Sequence, residues 1–224
     1  MKKAIFWDSD GTLLYGNESF KYSLMKALAD AGYPSEEETV RALMRRICTW
    51  HTPERDHSAQ SGEEWWQELL GQIGDFCSRQ GVAPADIPGI CVAFRQNVIG
   101  YDYRAYPDAQ TVLQAFCSRG YENYVISNNF PELDQAFRRL GLDGYISGYV
   151  LSASAGYEKP KKEIYAHALR LAGDPEICYM IGDNPEADYR GGLAAGLTPI
   201  LVHNRADGAV CVGSLMDLLQ MIKD

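Results

Sequence analysis

The stretch Ala4-Ile5-Phe6-Trp7-Asp8-Ser9-Asp10-Gly11-Thr12 joins an apolar run to a group of acidic and turn-forming residues. The run from Ala4 to Trp7 is apolar on both faces, which is typical of a buried strand in a parallel sheet. Later runs of the same kind also end at polar residues and predict further strands: Tyr124–Ile126, Cys178–Ile181 and Pro199–Val202. The sequence therefore predicts a set of buried strands with polar side chains at their carboxyl ends.

Amphipathic helical patterns separate these runs, and the glycines that follow them favour left-handed helix caps. The predicted helices are Asp108–Ser118, Glu132–Leu140, Ile164–Leu171 and Ala187–Ala195. Strands that alternate with helices form β-α-β units. The chain is therefore predicted to be an α/β protein with a doubly wound parallel sheet.

The stretch from about Gly16 to about Tyr101 has helical patterns and no convincing buried strand. We therefore predict two domains: an α/β core of residues 1–15 and 102–224, and a helical domain of residues 16–101 inserted after the first strand. Within the insert, Arg45 could reach an anionic substrate, and Trp65 and Trp66 could line a pocket. A solvated helix face and core packing are the commoner roles of such residues, and the sequence does not decide between them.

Composition limits the partners of the protein. The formal net charge of −9 argues against nucleic acid, whose binding needs a basic face. The six cysteines are scattered, no apolar run has the length of a membrane span, and the first apolar stretch is too short for a signal peptide. We therefore predict a cytoplasmic protein that acts on a small molecule, with its oligomeric state undetermined.

Four groups of polar residues follow the predicted strands. They are Asp8-Ser9-Asp10-Gly11-Thr12, Ser127-Asn128-Asn129, Lys159-Pro160 after the segment Tyr145–Ser152, and Gly182-Asp183 with Asp188. Ligands of open parallel sheets bind outside the carboxyl ends of the strands. We therefore expect these distant segments to converge at one edge of the sheet.

The residue types in these groups suit phosphoryl transfer. Asp8 can attack phosphorus as a nucleophile, and Asp10 can donate and then accept a proton. Asp183, together with Asp8 and a nearby backbone carbonyl, offers the hard oxygen ligands that Mg²⁺ prefers. Ser127 can donate a hydrogen bond to a phosphoryl oxygen, and Lys159 can offset negative charge. Since closely packed carboxylates repel one another, a cation is part of this interpretation.

The motifs Asp8-Ser9-Asp10-Gly11-Thr12-Leu13, Ser127-Asn128, Lys159-Pro160 and Gly182-Asp183-Asn184-Pro185-Glu186-Ala187-Asp188 resemble the four motifs of the haloacid dehalogenase superfamily, in the same order and spacing. The similarity covers the predicted core. The helical insert lies where the phosphatase-like branch of that superfamily carries its α-helical cap. The resemblance implies a Mg²⁺-dependent phosphatase that forms an aspartyl-phosphate intermediate and acts on a small phosphorylated metabolite.

The resemblance also implies roles for individual residues. Asp8 would be the nucleophile and a metal ligand, and Asp10 the general acid and base whose backbone carbonyl also binds the metal. Asp183 would bind Mg²⁺, and Asp188 would lie behind the metal ligands. The phosphoryl group would be held by three residues: Ser127, Asn128 and Lys159.

Three other functions share part of this pattern. A 2-haloacid dehalogenase needs neither a proton for its leaving group nor a metal, so Asp10 and Asp183 argue against it. A phosphomutase would return the phosphoryl group to the substrate, and the motifs do not separate it from a phosphatase. A phosphorylation-responsive binding module of the receiver type lacks both a long insert and a second aspartate two residues after the first.

Overall fold

A computed structural model of the chain describes residues 1–54, 57–59 and 61–223. The chain divides into two compact units. The first comprises Met1–Asn17 and Tyr103–Asp224, and the second comprises Glu18–Asp102. Within the described ranges, no helix has both the length and the apolar character needed to cross a bilayer.

The first unit contains a parallel sheet. Within the described residues it has six strands in the order β3-β2-β1-β4-β5-β6. The strands are β1 (Lys3–Trp7), β2 (Tyr121–Ser127), β3 (Gly148–Leu151), β4 (Ile177–Gly182), β5 (Thr198–Val202) and β6 (Cys211–Val212). The predicted α/β fold with a parallel sheet is confirmed. Strand β6 was not predicted, because a pair of residues gives no hydrophobic pattern to read.

The described residues contain ten α-helices, of which the first four belong to the second unit. They are α1 (Ser19–Asp30), α2 (Glu37–Ile47), α3 (Glu63–Arg79), α4 (Ile87–Ile99), α5 (Ala109–Ser118), α6 (Asp134–Arg139), α7 (Ser152–Ala155), α8 (Lys162–Leu171), α9 (Gly191–Ala194) and α10 (Leu215–Met221). Most predicted helices lie within a few residues of these bounds, which is the usual accuracy of helix ends.

The predicted helix Ala187–Ala195 is wrong at its start. One turn of π-helix occupies Pro185–Arg190, and the α-helix α9 follows it. The reason is local, since the Asn184 side chain accepts hydrogen bonds from the backbone N–H groups of Glu186 and Ala187. Proline is also favoured in the first turn of a helix, so the helical segment begins earlier than its apolar pattern suggests.

Strand β1 occupies the centre of the sheet, where its residues from Ala4 to Trp7 are at most 1% exposed. It pairs with β2 on one side and β4 on the other. The order of the strands along the chain therefore reverses beside β1, and this is the place where open parallel sheets bind ligands.

The two segments of the first unit that flank the second unit pair with each other. Leu14 forms an antiparallel bridge with Ala105. The backbone N–H of Tyr15 donates to the carbonyl of Arg104 at 2.9 Å. The chain therefore leaves and re-enters the first unit at adjacent points.

The second unit has an aromatic core. Trp65, Trp66 and Phe94 are at most 3% exposed, and Phe20 packs against all three rings. The structure thus places both tryptophans in core packing. Arg45, in contrast, is a largely exposed residue whose guanidinium lies 3.9 Å from a carboxylate oxygen of Glu38.

Candidate active site

Asp8 directly follows the central strand. Trp7 lies in register with Val125 of β2 and with Ile181 of β4, so the carboxyl ends of these three strands are adjacent. The N–H of Asp8 donates to the carbonyl of Ile181 at 2.8 Å, which extends the sheet pairing to the acidic residue. Ser127 ends β2, and Asp183 comes one residue after β4. The sheet therefore brings three of the predicted site residues to one edge.

Asp8 is only 7% exposed, and its carboxylate is held by three side chains. Its Oδ1 lies 2.8 Å from Nζ of Lys159 and accepts a hydrogen bond from Oγ of Ser127 at 3.3 Å. Its Oδ2 has a longer contact of 3.5 Å with Oγ1 of Thr12. Oδ1 is thus held by an ion pair and a hydrogen bond, whereas Oδ2 has only the long contact with Thr12.

Lys159 lies between two carboxylates. Its Nζ is 2.8 Å from Asp8 and 2.5 Å from Asp188, and both ion pairs are buried. Burial alone would lower the pKa of Lys159, but the charges of Asp188 and Asp8 outweigh it and raise the pKa above its ordinary value. The ammonium group therefore stays charged at neutral pH.

The side chain of Asn128 fixes the backbone of Lys159. Its Nδ2 donates to the Lys159 carbonyl at 3.0 Å, and its Oδ1 accepts from the Lys159 N–H at 2.6 Å. This pair of bonds ties the segment before α8 to the end of β2. The Asn128 side chain is therefore engaged with the Lys159 backbone through its oxygen and one N–H of Nδ2.

Asp188 supports Lys159 from the other side. Its Oδ1 pairs with Lys159, and its Oδ2 accepts the N–H of Asn184 at 2.9 Å. Burial raises the pKa of Asp188, while the neighbouring Lys159 lowers it. A Cβ atom at Gly182 would overlap the Asp188 carboxylate, so glycine is required there for this approach. Both oxygens of Asp188 are already engaged, which suits a supporting role.

Asp183 lies close to Asp8 and Asp188, with one carboxylate oxygen of each of the three within 4.8 Å of the others. Its backbone carbonyl accepts a hydrogen bond of 2.7 Å from Nδ2 of Asn204 in the loop after β5. Burial and the neighbouring Asp8 carboxylate raise the pKa of Asp183 to about 6. Gly11 has a φ of 87°, and a Cβ atom on it would overlap the Asp183 carboxylate. Gly11, in the first motif, thus leaves space for the side chain of Asp183, in the last motif.

Asp10 is held by amide side chains from two different segments. Nδ2 of Asn17 donates to its Oδ1, and Nδ2 of Asn129 donates to its Oδ2 at 2.6 Å. Burial and the charge of Asp8 raise the pKa of Asp10 to about 6, against the hydrogen bonds from these amides. A carboxyl group with a pKa near neutrality can serve as both proton donor and proton acceptor.

The sequence matches the haloacid dehalogenase-like hydrolases over residues 2–196. The chain belongs to this family. It is similar to glyceraldehyde 3-phosphate phosphatase of Methanothermobacter thermautotrophicus, with 30% identity over 91% of this chain and 87% of that protein. It is also similar to phosphoserine phosphatase of Thermus thermophilus, with 32% identity over 45% of this chain and 41% of that protein.

Solved structures of haloacid dehalogenase-like proteins share this fold. The crystal structure of 2-haloacid dehalogenase from Pseudomonas syringae matches with a TM-score of 0.75 and 20% identity. The match covers 98% of this chain and 97% of that one. At this level of identity the similarity concerns the fold alone.

The donor set of this family member suits a divalent cation. Asp8, Asp183 and Asp188 each offer a carboxylate oxygen, and these oxygens lie within 4.8 Å of one another. The raised pKa of Asp183 reflects burial first and repulsion from Asp8 second, and a bound cation would relieve that repulsion. Hard carboxylate oxygens are ligands that Mg²⁺ prefers. The residues present therefore fit the cofactor that was predicted.

Five residues whose side chains form hydrogen bonds in this site have no role assigned from the sequence. They are Ser9, Thr12, Asn17, Asn129 and Asn204. Ser9 and Thr12 lie within the first motif and Asn129 follows the second, so their positions in the sequence could have indicated a role. Asn17 and Asn204 belong to no motif, and only the folded chain brings them to Asp10 and Asp183.

Proposed function

We propose that this hydrolase is a Mg²⁺-dependent phosphatase that acts on a small phosphorylated metabolite through an aspartyl-phosphate intermediate on Asp8. The observation that carries the proposal is the setting of the Asp8 carboxylate. Lys159 and Ser127 hold one of its oxygens, while the Asp183 carboxylate lies within 4.8 Å. The groups that would serve as nucleophile, positive charge, hydroxyl donor and metal ligand thus lie close together, which supports the proposal.

In the first half of the proposed reaction, a carboxylate oxygen of Asp8 attacks phosphorus and the bond to the ester oxygen breaks. The more weakly bonded Oδ2 is the oxygen that we propose attacks. Asp10 gives its proton to the departing alkoxide, so an alcohol leaves and an acyl phosphate remains on Asp8.

In the second half, water attacks the phosphorus of the acyl phosphate. Asp10, now ionised, takes the proton of that water, and the products are inorganic phosphate and the free Asp8 carboxylate. The raised pKa of Asp10, about 6, supports a group that changes between these two states near neutral pH.

The phosphoryl oxygens would be bound by Lys159, by the hydroxyl of Ser127 and by the backbone N–H of Asn128. Lys159 supplies a fixed positive charge because Asp188 and Asn128 hold its head and its backbone. Donors fixed in advance stabilise the charge of a transition state without reorganisation.

Mg²⁺ would be held by the carboxylates of Asp8 and Asp183 and by the backbone carbonyl of Asp10. When bound, it would neutralise the acidic cluster and the negative charge of the phosphoryl group. Asp188 would instead hold Lys159, with which it forms the shorter of the two buried ion pairs, at 2.5 Å.

We further propose that the helical segment of residues 16–101 is a cap domain that selects the substrate and excludes water from the site. Its elements in the described residues are helical. The names of the two relatives suggest small phosphorylated compounds as substrates, such as glyceraldehyde 3-phosphate and phosphoserine.

The test is a panel of phosphorylated metabolites that includes these two compounds, assayed for released phosphate with Mg²⁺ and with excess chelator. We expect release from at least one compound with Mg²⁺, none with chelator, and none from Asp8→Asn. Halide release from a 2-haloacid in chelator would instead indicate a dehalogenase. Isomerised substrate without net phosphate release would indicate a phosphomutase.

A further inference from the structure

Ser9, between the two aspartates, is fully buried and its hydroxyl meets three polar groups. Its Oγ lies 2.7 Å from Oγ of Ser127 and 3.2 Å from Oδ2 of Asp10, and it accepts from Nδ2 of Asn129 at 3.4 Å. This hydroxyl therefore adjoins both the proposed phosphoryl ligand and the proposed acid and base.

A hydroxyl has one proton, so Ser9 cannot donate to both Ser127 and Asp10 at once. The contact with Ser127 is the shorter one and has the usual O–H···O length. Asp10 Oδ2 already receives a shorter bond, of 2.6 Å, from Asn129, whereas its contact with Ser9 is 3.2 Å long. The short contact therefore favours Ser9 as the hydrogen-bond donor to Ser127.

The direction of the Ser9–Ser127 hydrogen bond determines where the Ser127 hydroxyl proton points. Ser127 also has a single proton, and its Oγ donates to Asp8 at 3.3 Å. If Ser127 donated to Ser9, its proton would point away from Asp8. Because Ser9 is the donor, the proton of Ser127 remains on the side of the nucleophile, and a donor that itself accepts a hydrogen bond is strengthened.

The backbone of Ser9 is held rigidly. Its carbonyl accepts the N–H groups of three following residues: Thr12 at 3.2 Å, Leu13 at 3.0 Å and Leu14 at 2.8 Å. The hydroxyl is thus fixed relative to the loop that contains both aspartates.

We propose that Ser9 is a positioning residue, which donates to Ser127 and so directs the Ser127 proton toward a phosphoryl oxygen at Asp8. The inference rests on the proposed function, in which Ser127 holds that oxygen. Ser9 itself does not touch the substrate. Its contribution is made entirely through Ser127.

The variants Ser9→Ala and Ser9→Cys test this role. Alanine removes the hydroxyl, and cysteine replaces it with a somewhat larger thiol that is a weak donor, so both variants should lose about 2- to 10-fold in kcat/KM, as expected for one hydrogen bond. The affinity for inorganic phosphate, measured with Mg²⁺ by calorimetry, should fall by a similar factor. If Ser9→Cys matched the parent in both measurements, Ser9 would only fill space and the proposal would be overturned.

A double-mutant cycle separates positioning from general damage. In a Ser127→Ala background, adding Ser9→Ala should change kcat/KM by less than about 2-fold, because the residue through which Ser9 acts is gone. If the losses in kcat/KM of the two single variants multiplied in the double variant, the proposal would be overturned. Ser23→Ala is a matched control, since this buried serine of α1 has an Oγ without a hydrogen-bond partner among the described residues. Its kinetics should equal those of the parent.

Phosphate affinity also distinguishes this inference from the proposed function. A parent protein that hydrolyses no phosphate ester, yet binds inorganic phosphate more tightly than the Ser9 variants, would refute the phosphatase and retain the role of Ser9. Hydrolysis by the parent with equal phosphate affinity and kcat/KM in all Ser9 variants would retain the phosphatase and refute the role of Ser9.

Discussion

Lys159 and Asp188 form an ion pair of 2.5 Å in which both side chains are at most 2% exposed. Loss of one partner from a buried pair leaves a charge that water cannot reach. Asp188→Asn should therefore destabilise the metal-free protein by about 3 kcal/mol in urea unfolding. It should also reduce turnover, because Lys159 would lose one of its two fixed partners.

The exposed pair of Arg190 and Glu186 provides the control for that experiment. These groups are 2.9 Å apart, but their side chains are 75% and 63% exposed. Glu186→Gln should change the free energy of unfolding by less than about 0.5 kcal/mol. Equal effects of the two substitutions would show that burial of the Lys159 pair has no energetic consequence.

Gly11→Ala should disturb the proposed metal site. Gly11 has a φ of 87°, and the new Cβ would overlap the Asp183 carboxylate. We expect the stabilisation of the protein by Mg²⁺, measured as a shift in Tm, to be strongly reduced. Gly120→Ala is the matched control, because Gly120 has a φ of 78° and no atom within 4 Å of its Cβ position. That variant should lose about 1–2 kcal/mol through backbone strain and keep the full Mg²⁺ response.

The apparent affinity for Mg²⁺ should rise with pH. The pKa of Asp183 is raised to about 6, so protons compete with the metal below that pH. We expect the Kd for Mg²⁺ to fall about tenfold per pH unit from pH 5 to pH 6 for one displaced proton, and to level off above pH 7. Calorimetry across this range measures it, and a Kd that did not change with pH would contradict the assignment.

The raised pKa of Asp183 has the opposite consequence for the stability of the metal-free protein, which should decrease as the pH rises. A carboxyl whose pKa is higher in the folded than in the unfolded state contributes stability below about pH 3.8, and this contribution is lost as the pH rises through about 6. Near pH 7, Asp183 should therefore oppose folding in chelator. Asp183→Asn should remove this penalty together with Mg²⁺ binding, which urea unfolding at pH 5 and pH 7 can measure.

Asp10→Asn should slow an alkyl phosphate by about 10² to 10⁴-fold, the usual worth of acid and base catalysis. An aryl phosphate, whose phenolate departs without a proton, should be slowed less in the first step. Phosphorylated Asp8 should then accumulate, because its hydrolysis also needs a base. Rapid-quench mass analysis would detect it. If Asp10→Asn hydrolysed alkyl phosphates as fast as the parent, Asp10 could not be the general acid and base.

The sequence predicted the parts of this site that depend on strand ends. Asp8, Ser127 and Asp183 follow apolar runs, and the carboxyl ends of parallel strands necessarily share an edge. This reasoning needs only the periodicity of apolar residues, which the printed sequence contains.

The sequence did not predict which atoms hold each carboxylate. Asn129 reaches Asp10 from a position 119 residues away, and Asn204 reaches the Asp183 carbonyl from the loop after β5. Such contacts depend on loop conformation and side-chain direction, for which no periodic pattern exists. The side chain of Asn128 is a further example, since it bonds to the backbone of Lys159.

The bridge between Leu14 and Ala105 has a consequence for how such an enzyme can change in evolution. Because the bridge holds the two ends of the insertion together, the segment between them adds little to the entropic cost of folding the sheet, and that cost grows only slowly with its length. Helices could be gained, lost or exchanged there without altering any strand pairing. A different inserted domain could therefore be joined at this bridge while the sheet and the side chains at its edge stay unchanged.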